Sequence, residues 1–201
     1  MFLIIYSSLL ILLKSIVNYL SIFEIFNILK FTGTIPKNLP SLVKDEQVSE
    51  RCFRLLGLNP GSHTLHGTNC YLVGTGTTKI LIDSGESKTA KIWVKYILDE
   101  ILPKSNTTQI SHILLTHGHY DHQGGVRHLL QVMKDRGMEK PLVFKRRITD
   151  TNDGYGKETG HYPAVYFECN HFKDQQEFKS GDATLRVLYT PGHTDDSVVF
   201  V

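Results

Sequence analysis

Cysteine is scarce in this sequence: Cys52, Cys70 and Cys169 are the only three in 201 residues. An odd count with no C-x-x-C spacing excludes a paired-cysteine zinc ribbon or dithiol motif. It also argues against a disulfide-stapled secreted scaffold, so a reducing compartment is expected. Net charge is equally scarce, with 22 Lys and Arg against 20 Asp and Glu. No broad basic field exists to grip nucleic acid by charge, and no acidic tail, so any such contact has to be local. Internal repeats are missing too. The remainder, 41% hydrophobic and 21% charged, is ordinary globular composition at about one domain's length.

The hydrophobicity is unevenly spread. Residues 1–31 carry Lys14, Glu24 and Lys30 as their only charges, and within 1–23 Lys14 stands alone. That stretch is long enough to cross a bilayer, which takes about 20 residues. Each Leu, Ile, Phe or Val favours insertion by roughly 0.3–0.6 kcal/mol, which together outweighs a central lysine at about 2.5–3.5 kcal/mol. A membrane anchor is therefore expected, with a targeting segment or a stretch outside the folded domain as the alternatives. As an anchor, it would have Lys30, Lys37 and Lys44 on its C-terminal side, placing the rest of the chain in the cytosol or matrix. Residues 32–50 mix Pro, Ser, Lys and Glu without periodicity and read as a linker, with the folded domain, 51–201, following.

Within that domain the pattern predicts strands over 51–58, 69–73 and 79–83, the last two joined through Gly74-Thr75-Gly76 as an antiparallel hairpin. Ala90, Trp93, Val94, Ile97, Leu98 and Ile101 recur at helical spacing until Pro103, where the helix is expected to stop. A strand over 110–115 delivers the run THGHYDHQGG, after which Val126, Leu129, Leu130 and Met133 trace a second helix. Strands are predicted over 142–145, 164–168, 184–189 and 198–201, with a polar loop over 149–162. Alternation of this kind implies an α/β fold.

His117, His119 and His122 crowd into six residues with Asp121. Imidazole nitrogen and carboxylate oxygen suit zinc and similar divalent ions, and catalytic zinc takes three protein ligands with a fourth position left open. Placed on a loop between a strand end and a helix, His117 and His119 can aim at one point while Asp121 and His122 aim at a second. His193, in the turn Thr190-Pro191-Gly192-His193 after another strand, adds a further imidazole. His63, His66, His112, His128, His161 and His171 lack ligand spacing and read as surface residues. The run Lys145-Arg146-Arg147 reads as a solvated strand end.

The pair of motifs, THGHYDH and TPGHT, resembles the metallo-β-lactamase superfamily. The resemblance implies an αββα sandwich, a first metal held by His117, His119 and His193, and a second metal ligated by Asp121 and His122. Zinc is the implied ion, with Asp121 also a candidate catalytic proton acceptor. Asp83, ending the strand KILID, corresponds to a family aspartate beneath the metal loop and is assigned to accept a histidine N–H and fix its tautomer. The runs LGLNPGSHTLHGTNCYLVG and ATLRVLYTPGHTDDSVVFV are similar to the eukaryotic β-lactamase-like endoribonucleases. That implies single-stranded RNA as substrate and a mitochondrial or cytoplasmic location. Glyoxalase II-type thioesterases share the motifs, so a thioesterase or a noncatalytic zinc-binding fragment stays open. The resemblance also implies a bridging aspartate and a last histidine beyond His193, which this sequence does not contain. One whole metal site and one partial site are thus expected, on the first half only of the sandwich. An uncovered inner sheet would invite self-association or pairing with a complementary half.

Overall fold

The computed structural model describes residues 39–146 and 167–201. Residues 1–38, including the expected anchor, and the expected loop 149–162 lie outside them, as does most of the expected strand 164–168. Among the described residues no helix is long and apolar enough to cross a membrane. Residues 40–60 and 64–201 form one compact unit, and the description that follows concerns that unit.

Four strands open it: β1 (Asp45–Ser49), β2 (Cys52–Leu56), β3 (Asn69–Val73) and β4 (Thr78–Ile82). Each pairs antiparallel with the next. The hairpin between β3 and β4 forms as expected, with Gly74 at φ +138°, which an L side chain rarely adopts. β1 corrects the linker assigned to 32–50. Its residues are mostly exposed, so it lacks an apolar pattern and is held by pairing to β2 along the sheet edge.

Helix α1 (Ala90–Tyr96) then carries the chain back to β5 (Gln109–Leu114), parallel to β4. The helix does not stop at Pro103. It widens into a π-helical turn, Ile97–Ile101, that keeps Ile97, Leu98 and Ile101 buried, and closes as α2 (Leu102–Lys104). Pro103 lies in the first turn of α2, where a missing N–H costs little. After β5 come α3 (Tyr120–Gln123) and α4 (Val126–Asp135), then β6 (Leu142–Lys145) and β7 (Asn170–His171), which complete a seven-stranded sheet in sequence order. β8 (Glu177–Ser180), β9 (Ala183–Tyr189) and β10 (Val198–Phe200) form a separate antiparallel sheet, ordered β10-β9-β8.

Why the apolar runs are continuous follows from burial on both faces. Phe53, Leu55, Leu72, Leu81 and Ile113 pack with Trp93, Ile97, Leu129 and Met133 of the helices. On the other face Ile80 and Leu114 meet Phe172, Phe178, Val187 and Val198, with Phe144 packed against them. The expectation of an uncovered inner sheet is therefore corrected at β4 to β6, where the small sheet covers it. Beyond the β10 edge the face is open, as a cleft of about 480 Å³ walled by Cys52, Tyr71, Val73, Ile82 and Phe200.

Candidate metal centre

The site sits at the C-terminal ends of β4 and β5, where open α/β sheets place their ligands. Asp83 ends β4 at φ +58°, a left-handed conformation that aspartate tolerates better than most residues. Two glycines seat the metal loop against that strand end. A Cβ on Gly125 would lie 2.1 Å from the Ser84 carbonyl oxygen, and one on Gly124 would lie 2.4 Å from the Ser87 nitrogen. Only hydrogen fits there, which explains the Gly-Gly that follows the histidine run. The Ser84 N–H donates to the His122 carbonyl at 2.7 Å and closes the contact.

His117, His119 and His193 converge, their nearest ring nitrogens all within 4.8 Å of one another. His119 Nδ1 and His193 Nε2 are 3.2 Å apart. Zn–N bonds of about 2.0–2.1 Å in tetrahedral geometry bring ligand nitrogens to about this separation. Tautomers can be read from the hydrogen bonds. The Asp83 carboxylate accepts the Thr116 N–H on Oδ1 (2.9 Å) and the Thr116 hydroxyl on Oδ2 (2.8 Å). Having given its only proton, Thr116 Oγ1 must accept from His117 Nδ1, 2.9 Å away. His117 Nε2 is left with a bare lone pair, and that atom is buried with no hydrogen-bond partner among the described residues. A buried, unpartnered imidazole nitrogen facing two further imidazoles is what a divalent ion would satisfy.

Asp121 and His122 lie beside this group rather than in it. His122 Nδ1 is 2.7 Å from Asp83 Oδ2, where the carboxylate accepts its N–H. The other ring nitrogen, Nε2, faces Asp121 Oδ2 at 3.4 Å, and the His122 ring is 4.1 Å from that of His117. Asp121 Oδ2 also accepts the Thr68 hydroxyl at 3.2 Å, and Thr68 is itself held by Asn59.

Two neighbouring histidines titrate in opposite directions. Desolvation, with His122, His119, His193 and Lys145 adding positive charge, drives His117 down to about 3. Desolvation and His193 lower His119 as well. For His122 burial also pulls downward, but the Asp83 hydrogen bond and charge outweigh it and leave the pKa raised. His117 is neutral and ready to ligate near pH 7, whereas at His122 a proton competes with a metal more strongly than at an ordinary imidazole.

Sequence reasoning missed Thr116, Thr68, Gln123, Lys145 and Asp196. The adjacency of Thr116 to His117 and the Asp195-Asp196 pair after His193 were the available signals. The solvated reading of Lys145-Arg146-Arg147 is corrected. The Lys145 side chain is 11% exposed and pairs with Asp196, and Arg146 lies over the Tyr189 ring at 4.2 Å. A charged strand end on a half-covered sheet is buried by whatever packs over it, which local sequence cannot show. Arg147 lies outside the described residues.

Residues 63–201 match the family described as the metallo-beta-lactamase superfamily. The chain is 38% identical over 164 residues to the lactamase-like protein adaB of Aspergillus niger, covering 82% of this chain and 44% of that one. It is equally similar, 38% over 164 residues with the same coverage, to the atrochrysone carboxyl ACP thioesterase nsrC of Aspergillus novofumigatus. Among solved structures, BJP-1, a subclass B3 metallo-beta-lactamase of Bradyrhizobium japonicum, superposes with a TM-score of 0.54 at 20% identity. That match covers 83% of this chain and 59% of the other, and shows the fold alone. This chain thus spans a little under half the length of the curated relatives it matches.

Proposed function

The chain belongs to the metallo-β-lactamase superfamily, and from that premise we propose that it supplies the metal-binding face of a thioester hydrolase. The observation that carries the proposal is the buried, unpartnered Nε2 of His117 facing His119 and His193. A zinc ion held by these three histidines would supply Lewis-acid activation of water near neutral pH. Asp121, fixed by the Thr68 hydroxyl, accepts the proton as the water oxygen bonds to the carbonyl carbon. As the C–S bond breaks, Asp121 returns that proton to the departing sulfur, giving a thiol and a carboxylic acid. Asp121 and His122 are the ligands offered to a second ion.

The thioester reading rests on a relative named as an ACP thioesterase. The RNA reading expected from the sequence has no counterpart in the names of the relatives reported above, so it takes second place. The experiment is to incubate the zinc-loaded full chain with an acyl thioester and with single-stranded RNA, following free thiol and RNA length. Thiol release that stops on chelation, and falls about 10²–10⁴-fold in Asp121→Ala, is the expected result. RNA cleavage without thiol release would overturn it.

A further inference from the structure

The three histidines come from two loops far apart in sequence, and something has to fix the distance between those loops. A buried polar chain runs from one to the other. On the first loop, the Gly118 carbonyl, between His117 and His119, accepts from Gln123 Nε2. Gln123 Oε1 lies 3.5 Å from Lys145 Nζ at the end of β6. Lys145 Nζ lies 3.5 Å from Asp196 Oδ2, on side chains 11% and 0% exposed. Asp196 Oδ1 in turn accepts the hydroxyl of Thr194, the residue after His193, at 2.8 Å. The Thr194 N–H donates to Ser197 Oγ at 3.1 Å, and its carbonyl accepts from Gly192, so the His193 turn is closed on itself as well as tied outward.

We propose that Lys145 and Asp196 are positioning residues, an ion pair that locks the His193 turn to the His117-His119 loop and so sets the geometry of the three-histidine group. Stability alone is a poor account of this pair. A buried ion pair gains little over well-packed apolar side chains of similar size. Among the described residues Asp196 Oδ2 has no hydrogen-bond donor and is compensated by the charge of the Lys145 ammonium. A second link in the chain, Gln123, is also buried and reaches the first loop's own backbone. The pair lies where small shifts would move the site histidines, since the two ends of the polar chain, Gly118 and Thr194, each adjoin one of them in sequence.

The inference rests on the three histidines forming a metal site, and the test separates the two. The full chain is titrated with Co²⁺ alone, reading the visible absorption of the bound ion and its affinity against a chelator, beside the melting temperature of the metal-free protein. In the double variant Lys145→Met with Asp196→Leu, we expect melting close to that of the natural chain but Co²⁺ binding at least about 10-fold weaker, with a changed absorption band. Lys145→Arg, which keeps the charge, should restore both relative to Lys145→Met. Gln123→Met tests the other end of the chain and carries the test if the double variant does not fold. Unchanged affinity and spectrum in a folded double variant, or in Gln123→Met where the double variant does not fold, would overturn the proposal while leaving the metal site standing. A natural chain that shows no Co²⁺ band would overturn the site and the proposal together.

Discussion

Replacing Asp83 by Asn tests the strand-end carboxylate with least disturbance to the backbone. The φ of +58° at this position suits Asn as well as Asp. The carboxylate is 2% exposed and accepts three hydrogen bonds, from Thr116 N, Thr116 Oγ1 and His122 Nδ1. An amide has one oxygen. Turned to keep Thr116 Oγ1 and His122, it points its NH₂ at the Thr116 N–H and leaves a buried donor unmet. That costs about 1–3 kcal/mol, and losing the charge from the remaining two bonds adds about 1 kcal/mol. We expect the metal-free variant to lose about 2–4 kcal/mol by urea unfolding at pH 5.5. The effect depends on pH. His122 has a folded pKa above its ordinary 6.5, so its contribution is fully present below that value and is lost as pH rises through the folded pKa. The penalty for Asp83→Asn should therefore shrink at pH 8.5. The neutral amide oxygen holds the Thr116 hydroxyl, and through it the His117 Nδ1–H, less firmly than the carboxylate does, so zinc affinity falls about 10–100-fold. A variant within about 0.5 kcal/mol of the natural chain, or an unchanged pH slope, would refute the tautomer argument.

Four further outcomes follow from the same geometry. Because His117 is held down to about 3 and His119 is also lowered, protons should compete with zinc less at these two rings than at ordinary imidazoles, so zinc affinity should fall less steeply with acid than in three free histidines, measured by dye competition. His193→Ala should abolish tight zinc binding while leaving the metal-free fold intact, since His193 is exposed; unfolding of this variant would count against that separation. Gly125→Ala should destabilise by about 1–3 kcal/mol or more, as its Cβ would meet the Ser84 carbonyl, and an unchanged melting temperature would show that the loop can shift. Trp93→Ala should cost about 3–5 kcal/mol in chemical unfolding, because the ring is fully buried between helix and sheet.

What the sequence made legible was whatever a few consecutive residues determine. β3 follows from alternation ending in a glycine turn, and α4 from four apolar residues on one face. The clustered histidines 117, 119 and 122 are legible because their spacing within one loop is itself the signal. β1, β7 and β8 were not legible: they are short and carry no sustained apolar run, and strand pairing holds them, β1 and β8 in tight hairpins with β2 and β9 and β7 against β6. The π-helical turn escaped as well, since Ile97, Leu98 and Ile101 stay buried through it and the apolar pattern alone does not mark it. Thr116 carries no signal in isolation, because a threonine becomes a proton relay only when Asp83 is folded beneath it.

The division between local and distant determinants also orders how the site is assembled. His117 and His119 lie within three residues of each other and share one loop, so their approach costs little chain entropy. Joining His193 to them closes a loop of more than seventy residues. Loop closure of that length costs only slightly more than a short one, but nothing local repays it. Repayment must come from contacts formed on arrival: the apolar packing of Val187 and Val198 on Ile80 and Leu114, and the Val198 N–H given to the Thr116 carbonyl at 2.9 Å. That last bond ties β10 to the residue that sets the His117 tautomer. Docking of the small sheet and readiness of the first ligand are therefore one event, and a substitution that loosens β10, such as Val198→Ala, should weaken metal binding although it touches no ligand.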